Sequence, residues 1–201
     1  MSWIRTILPD AATGRLKQLY ERIKGPNGEI DNILSSHSLR PHTLDGHLAL
    51  YKAVLHHPRN ENPKWLLETL GVLVSHLNGC AYCVEHHFAG LKRLLADDSR
   101  ALEIRRAIEA GRPEQALSGA ELAALQYARV LTVAPAELVE QQVTALRDAG
   151  LDDGRILEIN QVVAYFAYAN RTVLGLGVSH HGEALGLSPC DSTDPDNWSH
   201  Q

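Results

Sequence analysis

Apolar residues recur along this chain at three- and four-residue intervals, the spacing that lines one face of an α-helix. No stretch alternates with the two-residue period of a half-buried strand. "DAATGRLKQLYERIKGPNG" predicts a helix through Leu16, Leu19 and Ile23, stopped by Gly25-Pro26 and Gly28. "EIDNILSSHS" is a short helical piece, and "PHTLDGHLALYKAVLHH" a longer helix from about Pro41. "NPKWLLETLGVLVSHLNG" follows, with Asn62 as N-cap, Pro63 in the first turn and Asn78-Gly79 as the stop. The next helix runs to about Ala96, and "DDSRALEIRRAIEAG" is capped by its acidic pair. "SGAELAALQYARVLT" opens with Ser118 three residues before Glu121, a capping-box pattern. "APAELVEQQVTALRDAG" and "DDGRILEINQVVAYFAYANRTVLGLGVSHHG" complete an all-α pattern of about nine helices. The expected organisation is an N-terminal helical segment over 1–40, one main domain over 41–185 and a polar, Pro-containing tail over 186–201.

One helix breaks the amphipathic rule. Between Pro63 and Leu77 it is apolar nearly all round, with Trp65, Leu66, Leu67, Leu70, Val72, Leu73, Val74 and Leu77, so burial on most sides is expected. Glu68 lies in its first half, one turn from Gly71 and two from Ser75. A carboxylate there is desolvated and needs a partner, unless it occupies a narrow solvated edge.

The next stretch, "NGCAYCVEHHF", offers that partner. Cys80 and Cys83 are three apart and Cys83 and His87 four apart, so on a helix they form one stripe. His86 is turned about 100° from His87 and groups with Glu85 and Arg93 on the polar side, which makes it a bystander. Across the Asn78-Gly79 turn, Glu68 lies roughly 15 Å back and His87 roughly 12 Å forward, nearly level in an antiparallel hairpin. The expected order along the seam is Glu68, His87, Cys83, Cys80. That order suits a proton relay in which a buried carboxylate orients an imidazole that takes a proton from a thiol. Both cysteines also fall in a first helical turn, where free N–H groups favour a thiolate. A zinc site built from Cys80, Cys83 and His87 with His86 or Cys190 is the alternative, but structural zinc needs four converging ligands and a second CxxC is missing.

Composition narrows the classes further. The 201 residues suffice for one good-sized domain, and 44% hydrophobic with 21% charged residues is the balance of a soluble globular chain. The net charge of -5 and the lack of a Lys/Arg run argue against a nucleic-acid partner. No apolar stretch is long enough for a bilayer, and "MSWIRTILPD" lacks the pattern of a secretory signal. Three cysteines do not make a disulfide scaffold, so the CxxC points to redox or metal chemistry in a reducing compartment, by default the cytoplasm. His180-His181 are read as capping the last helix, Asn170-Arg171 as satisfying buried backbone or a subunit contact, Trp65 as core, and Cys190 as a free surface thiol. Trp3 and Trp198 are read as packing across a subunit interface.

With Glu68, Cys80, Cys83 and His87 in the register Glu-x11-Cys-x2-Cys-x3-His, the sequence resembles the AhpD-like, peroxidase-related branch of the carboxymuconolactone decarboxylase family. The segments "AELAALQYARVLT" and "RILEINQVVAYFAYANRTVLGLG" extend that resemblance over most of residues 40 to 185. It implies an all-helical fold, homo-oligomers, and a cysteine peroxidase needing no metal or organic cofactor. By the resemblance, Cys83 attacks a small hydroperoxide, prepared by His87 and Glu68. Cys80 donates a proton and then resolves the sulfenic acid to a Cys80–Cys83 disulfide, which a lipoyl or thioredoxin-like dithiol reduces. Tyr82 stands where some members carry a histidine, which bears on rate and reductant. The alternatives are a decarboxylase-like lyase, whose branch does not depend on a CxxC, and a non-enzymatic redox-sensing or metal-binding protein.

Overall fold

The computed structural model describes residues 2–194 and 197–199; of the expected C-terminal tail, residues 195, 196, 200 and 201 lie outside the described residues, as does Met1. Among the described residues there are nine α-helices, joined in places by short 3-10 turns: α1 (Gly14–Ile23), α2 (Asn32–Ser35), α3 (Pro41–Leu55), α4 (Lys64–Leu77), α5 (Ala81–Leu95), α6 (Asp98–Glu109), α7 (Gly119–Val133), α8 (Glu140–Asp148) and α9 (Asp153–Leu176). The all-α expectation holds, and no helix is long and apolar enough to cross a membrane among the described residues.

The near-continuous apolar character of α4 is explained by its position. It packs against α5, α7 and α9, with α6 and α3 at its flanks, so Leu66, Leu67, Leu70, Val72 and Val74 are all buried in the main core. Gly71 lets α9 approach: a Cβ there would sit 2.4 Å from the Phe166 ring. A second apolar cluster forms where the N-terminal segment folds over α3, joining Leu16, Leu19, Tyr20 and Ile23 to Leu44, Leu48 and Trp198.

Several local expectations need correction. Pro63, not Asn62, is the N-cap of α4, and the buried Asn62 amide instead donates to the Arg155 carbonyl (2.9 Å) and Glu158 Oε2 (2.8 Å), tying the loop to α9. Ser118 is the N-cap of α7 but makes no side-chain capping bond, so the box with Glu121 does not close. Asp97 does cap α6, accepting from the Arg100 N–H at 3.0 Å. The last helix ends at Leu176 with Gly177 as its cap, so His180 and His181 lie beyond it in a loop. Trp198, expected at a subunit interface, is buried within the chain's own second cluster.

The C-terminal segment runs back over the body. Lys52 donates to the carbonyls of Asp194 and Asn197. Arg93 donates to the Gly186 carbonyl and Ser188 Oγ, and Trp198 stacks on Tyr51 with ring centroids 6.4 Å apart. This strap covers the face where α3, α4 and α5 converge.

Replacing Gly71 with Ala would push a methyl group into the Phe166 ring in a packed core, with an expected loss of about 1–3 kcal/mol. Urea unfolding followed by circular dichroism measures it, and an unshifted midpoint would show that α4 and α9 have slack at this crossing.

Candidate functional site

The tight turn at Asn78-Gly79 brings α4 and α5 into the expected antiparallel hairpin. Glu68 is 4% exposed, and its Oε2 accepts a hydrogen bond from His87 Nδ1 at 2.7 Å. A carboxylate accepts only, so the contact puts the proton on Nδ1 and leaves Nε2 as the nitrogen able to take another. Gly90 makes room for the pair: a Cβ at this position would lie 3.0 Å from the Glu68 carboxyl carbon. The Phe166 ring meets the His87 imidazole edge-on at 4.5 Å and fixes its plane.

Cys80 is the N-cap residue of α5 and Cys83 lies in its first turn. Both are free thiols, 1% and 3% exposed, with their Sγ atoms 3.2 Å apart. Their environments separate them. The Cys80 thiol is held below its ordinary range by the hydrogen bond with Cys83, assisted by the Cys83 backbone N–H and the Asn170 side chain against the effect of burial. The Cys83 thiol is pushed up by that same bond and by burial, opposed by Asn170 and Ser75. The two thiols act as one coupled unit, and the contact between their sulfurs favours a thiolate on Cys80 over one on Cys83.

Asn170 was read from the sequence as a backbone or interface residue; the structure gives it a place beside the thiols. It is fully buried on α9, donates to Ser75 Oγ at 3.0 Å and accepts from Asn78 Nδ2 at 2.9 Å. A polar side chain inside the apolar run "VVAYFAYAN" was the available signal. His86 also departs from expectation. It is buried, its ring lies 4.5 Å from Tyr82, its Nε2 sits 3.9 Å from Glu183 Oε1, and burial lowers its pKa to about 4. The strap supplies Glu183, so a face that would be solvated on α5 alone is covered. Tyr82 donates to Glu183 Oε1 at 2.8 Å and accepts from the Ile33 N–H at 3.2 Å, which joins the hairpin to both chain ends.

A cavity of about 70 Å³ opens beside Cys83, His87 and Glu68. Its walls include His47, Tyr51 and Tyr165, with Ile33 and Leu34 from the N-terminal segment and Leu187 and Pro189 from the strap. Cys83 borders it; Cys80 lies behind, packed with Val173 and Val178. Among the described residues no group of three His, Cys, Asp or Glu side chains is arranged to hold a metal ion. Cys190 is half-buried and bonds to Ser199.

No protein-family model matches the chain, and no curated protein matches it in sequence. Solved structures do. One is the alkylhydroperoxidase AhpD core of a peroxidase-related protein from Ralstonia eutropha JMP134, at 22% identity and a TM-score of 0.77 over 89% of this chain and 91% of that one. A peroxidase-related protein from Silicibacter sp. TM1040 aligns at 23% identity and a TM-score of 0.72 over 89% and 95%. The debrominase Bmp8, in complex with 2,3,4-tribromopyrrole, aligns at 18% identity and a TM-score of 0.70 over 88% and 91%. The chain thus has the AhpD-like helical fold, and that fold is shared by proteins named for different reactions.

Replacing Asn170 with Leu keeps the shape and removes the amide. The Cys80 thiol then loses one of the contacts that lower it, and the pH midpoint of its reaction with iodoacetamide moves upward. An unmoved midpoint would mean that Asn170 is electrostatically silent.

Proposed function

We propose that this chain is a cysteine peroxidase that reduces small hydroperoxides through a Cys80–Cys83 thiol/disulfide cycle. The observation that carries this reading is two reduced sulfurs 3.2 Å apart, of which Cys83 borders a cavity shared with the Glu68–His87 pair. The register of AhpD-like proteins and the fold of peroxidase-related neighbours support it.

The proposed cycle starts at Cys83. His87 Nε2 takes the Cys83 proton, and the imidazolium so formed is stabilised by Glu68 across the 2.7 Å contact. The Cys83 thiolate attacks the outer oxygen of R–OOH; the S–O bond forms as O–O breaks, and the alkoxide takes the proton from His87 to leave as an alcohol. Cys80, whose surroundings favour its thiolate, attacks the sulfenic sulfur, and hydroxide departs as water with the Cys80 proton. An external dithiol supplies two electrons and two protons to restore both thiols.

A second reading rests on the aromatic walls formed by Tyr51, Tyr165 and His47. The same dithiol would remove bromine from a flat ring: Cys83 takes the halogen, the ring takes a proton, and Cys80 displaces bromide as the disulfide forms. Bromide release from a bromopyrrole in the presence of a dithiol distinguishes this from peroxide consumption.

Cys83→Ser is expected to abolish peroxide consumption, and full retained turnover would reject the assignment. Cys80→Ser should leave a trapped or over-oxidised Cys83, visible as added oxygen in the intact mass. Glu68→Gln should slow alkylation of Cys83 near neutral pH by roughly tenfold or more. An unchanged rate would uncouple the carboxylate from the thiol.

A further inference from the structure

The cavity beside Cys83 is partly open and has unmet hydrogen-bonding demands. His47 on α3 is 3% exposed, and its buried Nδ1 has no hydrogen-bond partner among the described residues. The same holds for His86 Nε2. Both side chains line the cavity, and burial lowers their pKa values, to about 3 for His47 and about 4 for His86, so both imidazoles are neutral near pH 7. Neutral imidazoles offer one hydrogen bond each and no positive charge.

The charged groups on the lining have one sign. Glu29, Asp31 and Glu68 line the cavity, and among the described residues no Lys or Arg lines it. Arg93 is engaged behind the wall by the Gly186 carbonyl and Ser188 Oγ, and Lys52 by the carbonyls of Asp194 and Asn197. Glu29 Oε2 accepts from the Asn27 N–H at 2.7 Å. Glu183 accepts from the Asn32 N–H at 2.6 Å and from the Tyr82 hydroxyl at 2.8 Å. Asp31 is half-buried at the N-cap of α2 with no side-chain capping bond, and burial, with Glu183 and Glu29 close by, raises its pKa to about 7.

We propose that this acidic, cation-free lining makes the cavity selective for small uncharged electrophiles, uncharged organic hydroperoxides in the proposed reaction, and that Asp31 is the residue that excludes anions. This rests on the peroxidase reading for the natural substrate and on the geometry alone for the charge selectivity. An anion entering a low-dielectric space beside Glu68 and Asp31 meets repulsion that water screens poorly. An uncharged molecule does not, and it finds two imidazole nitrogens for an O–H group and aromatic walls for an apolar body. The volume of about 70 Å³ limits the occupant to on the order of five or six non-hydrogen atoms while the strap is in place.

The test uses the full chain at pH 8, where Asp31 is mostly ionised, and two alkylating agents of nearly equal size. Iodoacetamide is uncharged and iodoacetate is an anion. The ratio of their rates at the Cys80/Cys83 pair, read by peptide mass and divided by the ratio for free cysteine, is expected to be at least about tenfold. Asp31→Asn should lower that ratio at least threefold, and Asp31→Glu should restore it. A ratio equal to that of free cysteine overturns the proposal, and a ratio unaffected by Asp31→Asn overturns the assignment to Asp31. The paired oxidation experiment compares tert-butyl hydroperoxide with hydroperoxyacetate, each of six non-hydrogen atoms, with the anion again slower by at least about tenfold. Reaction with neither peroxide, while the alkylation ratio stands, removes the peroxidase reading and leaves the charge selectivity supported.

Discussion

A carboxylate inside an otherwise apolar helix must find a partner, and the hydrogen bond between Glu68 and His87 meets that requirement. The contact constrains everything around it. It sets α4 and α5 level with each other, requires a residue without a side chain at Gly90, and holds the imidazole against Phe166. Removing either partner would leave the other buried and unpaired, a loss of about 3–5 kcal/mol in comparable buried pairs. Cys83, one helical turn before His87, is therefore placed by the same contact that stabilises the hairpin.

The two sulfurs share a location but not an environment. Cys80 at the helix cap shares a hydrogen bond with the Cys83 thiol, and that contact, the Cys83 backbone N–H and Asn170 on a distant helix lower its pKa. Cys83 gives up that stabilisation and borders the cavity instead. The difference between the thiols thus follows from which one the helix end faces and which one the cavity meets.

Both ends of the chain complete the site. The segment around Asp31 and the strap over 186–189 close the cavity from outside, and Glu183 links them through Asn32 and Tyr82. Both cysteines are nearly inaccessible, and of the two only Cys83 borders the cavity. Tyr82, where some AhpD-like sequences carry a histidine, serves as part of that closure rather than as a base.

Local spacing along the chain determined much of this protein. The 3.6-residue period marked the nine helices, and the conflict between Glu68 and its apolar neighbours signalled a buried pair across a single short turn. Glu68, Cys80, Cys83 and His87 were legible because they lie on two consecutive helices, where helix geometry alone sets the register. Asn170, His47, Asp31 and Glu183 were not, because each comes from an element far away in sequence, and no period within one helix shows which distant helix will cover it. His86 was misjudged for the same reason: its face of α5 is polar by local pattern and buried only because the strap returns over it. The tertiary structure alone decided what surrounds each thiol, what closes the cavity and which charges line it, since these depend on long-range packing and on burial that no local pattern encodes.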